Sequence, residues 1–124
     1  MNAELMLQVS TLLFLVAALG GGTMAVIRFG GKHNPPAWLA MLHGLLAAAG
    51  LTLLAYATLV AGVPGIAQLS LLLFLVAALG GAVLSLRYKW NRVLLPAWLV
   101  IVHAIAAVVG FVLLVAAVLL GPDG

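Results

Sequence analysis

Cysteine is absent and acidic side chains nearly so: the chain has two Asp and Glu residues in all, and charged residues make up 6% of it. Without thiols there are no disulfides, iron–sulfur clusters or thiolate metal sites. With so few carboxylates there is no acid pair for hydrolysis, and no nucleophile–base pair or phosphate-binding loop takes its place. What fills the chain is apolar, with 67% hydrophobic residues over 124 positions and a mean hydropathy of +1.37, far outside the range of soluble domains. A bilayer-crossing helix takes about 20 mostly apolar residues. Four such runs use up the chain, so a single membrane domain is predicted, with no length left for a soluble one. Met1-Asn2-Ala3-Glu4 lacks the basic start of a secretory signal, and the first run is expected to persist as a helix.

The predicted helices cover roughly 5–29, 36–61, 66–86 and 94–120. Gly30-Gly31-Lys32-His33-Asn34-Pro35 breaks the first from the second, and Pro36 suits a first helical turn, where its missing amide hydrogen is not needed. Gly62-Val63-Pro64-Gly65 makes an uncharged reversal, and Gly121-Pro122-Asp123-Gly124 forms a short tail. The pI near 10 comes from Arg28, Lys32, Arg87, Lys89 and Arg92, all in the loops after helices one and three. So small a basic footprint argues against nucleic acid as a partner. By the positive-inside rule these loops are expected in the cytoplasm, with both termini, Glu4 and Asp123 on the periplasmic side of a bacterial inner membrane. Trp38 and Trp98 suit the interfacial aromatic belt.

An internal repeat organises these runs. LLFLVAALGG occurs at 12–21 and again at 72–81, and Ser10, Pro36-Ala37-Trp38-Leu39, His43, Ala47 and Gly50 each return sixty positions later. The units, 10–60 and 70–120, each contain two spans, so the second enters the membrane from the same side as the first. The predicted fold class is therefore an all-α membrane protein, a four-transmembrane-helix bundle built from two tandem parallel helical-hairpin repeats.

Two histidines fall at one depth in this scheme. His43 and His103 each lie seven residues past a proline, about 10 Å in from the basic side at 1.5 Å per residue. Gly20 and Gly21, with Gly80 and Gly81, reach the same level on the other two helices. Ionisable groups inside a membrane need partners and mark functional sites. Zinc wants three or four protein ligands, which two histidines cannot supply. A porphyrin brings four nitrogens and leaves two axial positions. One haem b per chain is therefore expected between His43 and His103, with the glycines clearing space for a flat ring. Arg28 and Arg87, with Lys32 and Arg92, are expected near its propionates. Ala47 and Gly50, and Ala107 and Gly110, continue each histidine stripe and are expected to let helices two and four approach on the outer half.

On His43, His103 and the glycine pairs, the chain resembles membrane-embedded b-type cytochromes, broadly the cytochrome b561-like and quinol-linked four-helix proteins. The resemblance implies bis-histidine haem and transmembrane electron transfer; with both axial sites occupied, electron transport with quinone or a redox membrane subunit is expected in preference to catalysis at the metal. Many members carry four histidines for two haems, whereas this chain has one intramembrane pair. Other readings stay open. The histidines suit a chlorin-binding protein or a proton or ion transporter as well, and a duplicated structural histidine suits a cofactor-free accessory subunit of a larger complex. The glycine faces also permit an oligomer. His33, with Val93 at its repeat position, reads as a solvated loop residue, and Met24 and Met41 as packing.

Overall fold

Three turns divide the chain into four long helices. In the computed structural model, which describes residues 1–121, they are α1 (Ala3–Gly31), α2 (Ala37–Ala61), α3 (Gly65–Lys89) and α4 (Ala97–Leu120), each long and apolar enough to cross a membrane. Among the described residues there is no strand. The expected position of Asp123 lies outside the described residues.

The helix ends follow from local chemistry. Asn2 caps α1 by accepting from the Leu5 amide at 2.8 Å, and Glu4 sits in the first turn, where the helix dipole favours negative charge. Lys32 and Arg92, sixty positions apart, both adopt left-handed backbone, with φ of 54° and 58°. Helix α4 starts at Ala97, later than the predicted residue 94, because a residue before proline is pushed to extended backbone and Pro96 is the N-cap. Helix α3 continues past the predicted residue 86 as a wider π turn over Leu84–Lys89, and α2 ends in another over Ala57–Ala61. The Trp90 amide reaches back to the Ser85 carbonyl at 2.8 Å, so backbone groups stay paired through the distortion.

The closest packing lies within the hairpins, α1 on α2 and α3 on α4; α1 against α4 and α2 against α3 close the ring. This leaves α1 facing α3, and α2 facing α4, across the diagonals. Phe14 of α1 and Phe74 of α3 meet across one diagonal as a parallel stack, with centroids 3.7 Å apart and planes within 1°. Gly50 receives Phe14 and Leu13, and Gly110 receives Leu73 and Phe74. These glycines therefore seat side chains of α1 and α3. The expected close approach of α2 to α4 does not occur on the outer half, because the two phenyl rings occupy it.

The serine and threonine hydroxyls of α1 and α2, and Ser70 of α3, bond to backbone carbonyls. Ser10 and Ser70 are fully buried and donate to the carbonyls of Gly50 and Gly110 at 2.9 and 2.7 Å. Thr11, Thr23, Thr52 and Thr58 turn back on the carbonyl four residues earlier in their own helix. Large apolar side chains cover the outside, and Trp38, Trp90 and Trp98 are all exposed near the basic end. Such a surface suits lipid.

The interior is uneven along its length. The half nearer residue 1 is solid, built on Leu54, Leu114, Ala57, Ala67, Ala117 and the phenyl pair. A small cluster of Leu84, Leu95 and Leu99 closes the basic end. Between the two lies a cavity.

Candidate functional site

The site is built from each hairpin's own geometry. In an α-helix the carbonyl of residue i points toward residue i+4, so the Ala17 carbonyl lies beneath Gly21 and the Ala77 carbonyl beneath Gly81. With no side chain in the way, an imidazole from the neighbouring helix can lie over that turn. His43 of α2 does so, its Nδ1 2.8 Å from the Ala17 oxygen, and His103 of α4 repeats the arrangement at 2.7 Å from Ala77. A Cβ added at Gly21 would stand 3.1 Å from His43 Cε1, and one at Gly81 would stand 3.2 Å from His103 Cε1. Gly20 and Gly80 sit against the Cβ atoms of the two histidines at ordinary contact distances, 3.8 and 3.6 Å. The four glycines thus adjoin the histidines, and the space left by Gly21 and Gly81 is taken by the imidazoles.

The hydrogen bonds fix the tautomer. A carbonyl only accepts, so each Nδ1 carries a hydrogen and donates, and in the uncharged form of the ring Nε2 is the nitrogen with the lone pair. Among the described residues neither Nε2 has a hydrogen-bond partner. The rings face each other with centroids 6.2 Å apart and planes inclined at 73°.

Both histidines line one cavity of about 560 Å³ between the four helices. Half of its lining residues are alanine or glycine, with Gly21 and Gly81 among them, and the phenyl pair forms its floor. Its basic end carries Arg28 and Lys89 and no carboxylate. Arg28 Nε donates to the Leu95 carbonyl at 2.7 Å, and Lys89 Nζ donates to the Pro35 carbonyl. Asn34 ties the two basic loops together, donating to Val93 and accepting from the Leu95 amide at 2.8 and 3.0 Å. Of the cations expected here, Arg28 lines the cavity; Arg87, Lys32 and Arg92 do not, and Lys89 does. The extra turn of α3 carries Lys89 over the cavity. His33 bonds its neighbour's carbonyl in the exposed loop, away from the pair.

Sequence reasoning did not find the Ala17 and Ala77 carbonyls, since backbone acceptors leave no residue-type signal. Lys89 and the phenyl floor were readable in part, because Phe14 and Phe74 fall in the repeated run.

The arrangement offers two imidazoles held at Nδ1 by backbone carbonyls and lining one largely apolar chamber, with positive charge at one end. Among the described residues no group of three or more His, Cys, Asp or Glu could hold a metal ion. This is a helical, membrane-span-compatible bundle with a paired-histidine chamber. No protein family, curated protein or solved structure matches the chain.

Proposed function

We propose that the chain is a membrane b-type cytochrome that holds one haem b between His43 and His103 and exchanges single electrons with quinone or a neighbouring redox subunit. The observation that carries this reading is the spacing of the two rings. Two imidazoles trans on one ion, each at a metal–nitrogen distance of about 2 Å with about 1 Å more to the ring centre, have centres roughly 6 Å apart. The observed separation is 6.2 Å. The Nδ1 bonds supply the outer support typical of ligating histidines, fixing ring orientation and raising basicity at Nε2. The chamber, at about 560 Å³, lies within the roughly 300–1,000 Å³ typical of cofactor pockets.

Bound there, a haem would supply a one-electron couple at the iron. His43 and His103 would hold the iron from opposite helices, which would disfavour oxygen binding and substrate chemistry at the metal. The chamber's largely apolar walls would surround the ring, and Arg28 and Lys89 would place positive charge near its carboxylates. We read the chain as two duplicated hairpins in a bacterial inner membrane. The loops bearing Arg28, Lys32, Arg87, Lys89 and Arg92 are then cytoplasmic and the termini periplasmic, as the charge bias directs.

The test is an absorption spectrum of protein purified from haem-replete cells, reduced minus oxidised. Bands of a six-coordinate b haem are expected in the wild type, with loss of bound haem in His103→Ala and in His43→Ala. A colourless, folded wild type that takes up no added haemin would refute the reading and favour a cofactor-free accessory subunit.

A further inference from the structure

The chamber has no opening along the bundle axis. One end is blocked by the Phe14–Phe74 stack and the packed residues beyond it. The other is covered by Leu84, Leu95 and Leu99, with Arg28, Lys89 and Asn34 bonding the loops across it. Anything that reaches the histidines must pass between helices. The intra-hairpin seams are closed by the histidine–carbonyl bonds and the seated phenyl rings. Two seams remain, α2–α3 and α1–α4, and both are lined by residues that border the chamber and also reach the outer surface.

These seams are related by the sixty-residue offset but not equally filled. On the α4 edge stand Val100, Ala104 and Val108; at the matching places on α2 stand Ala40, Gly44 and Ala48. Each position on α2 is the smaller. The facing edges nearly balance, with Ala78 and Ala82 on α3 against Ala18 and Gly22 on α1. In keeping with this, α1 and α4 pack together more extensively than α2 and α3. We infer that the α2–α3 seam is the lateral portal through which a flat apolar macrocycle passes from the lipid phase to His43 and His103, with Ala40, Gly44 and Ala48 setting its width. The inference rests on the haem reading above, since the occupant is the same ring. A planar group can slide edge-on through a slot lined by alanine and glycine, where a row of valines would have to move aside.

The experiment gives α2 the α4 residues. Apoprotein in lipid nanodiscs is mixed with haemin, and uptake is followed by the growth of the Soret band. Release is followed by transfer to an excess of a haem-scavenging apoprotein. In the variant Ala40→Val, Gly44→Ala, Ala48→Val, uptake and release should both slow by about tenfold or more, so that their ratio changes much less than either rate. The reciprocal variant Val100→Ala, Ala104→Gly, Val108→Ala should not slow either rate. Narrowing a passage acts equally in both directions, whereas damage to the site speeds release and weakens binding. Gly44→Ala alone, a milder change, should slow both rates in the same sense. Unchanged rates in the α2 variants, or faster release with weaker binding, would overturn the portal while leaving the haem reading intact. A wild type that takes up no haemin would overturn both.

Discussion

Alanine at Gly21 tests the histidine seat most directly. The new Cβ would stand 3.1 Å from His43 Cε1 and 3.4 Å from Nδ1, inside the optimal carbon–carbon separation of about 3.5–4.0 Å. The ring must withdraw by several tenths of an ångström, which stretches its 2.8 Å bond to the Ala17 carbonyl. Overpacking of this kind costs about 1–3 kcal/mol and a weakened hydrogen bond up to about 1 more. Against that, replacing a mid-helix glycine with alanine contributes about 0.8–1.0 kcal/mol of helix propensity. Gly21→Ala is therefore expected to lower stability by up to about 3 kcal/mol, and to fall at least about 1 kcal/mol below Gly22→Ala. Gly22, where an added Cβ meets nothing within 4 Å, is the control; Gly22→Ala should gain up to about 1 kcal/mol. Gly81→Ala, with a 3.2 Å approach to His103, should repeat the Gly21 result. Reversible unfolding in mixed micelles, followed by helical circular dichroism, measures all three. Equal stabilities for Gly21→Ala and Gly22→Ala would refute the seat.

Three further outcomes are expected. Phe74→Ala removes the ring that stacks on Phe14 and fits against Gly110, and the void should cost about 3–5 kcal/mol in the same unfolding assay. Asn34→Ala breaks its two bonds to the second basic loop; hydrogen exchange at the Leu95 amide should quicken by about tenfold while amides beside the phenyl pair keep their protection. Because cysteine is absent, single cysteines report topology cleanly. In intact spheroplasts Gly62→Cys should react with an impermeant maleimide and Lys32→Cys only after lysis, and the reverse pattern would invert the orientation.

The spans and the three reversals were legible because hydropathy and the glycine and proline turns act locally. The histidines were legible because a polar ring in an apolar run has few explanations. What lay beyond the sequence was set by contacts between helices. The glycine pairs marked the right level, yet Gly21 serves His43 through a carbonyl four residues earlier, a relation visible only once α2 lies against α1. Arg87 and Lys89 look interchangeable in sequence; the π turn of α3 decides which one covers the chamber. The stripe from His43 through Ala47 to Gly50 suggested α2 meeting α4, but small residues declare only that something approaches closely. Here it is a phenyl ring from within the same hairpin.

The solid half and the hollow half lie at different depths, and a bilayer does not press evenly with depth. In a bilayer, lipids beside the phenyl pair would press on a filled interior, whereas lipids near the basic loops would press on walls with a cavity behind them. The two leaflets would therefore bear unequally on the histidine chamber, one meeting packed rings and the other a wall of small residues with space behind it.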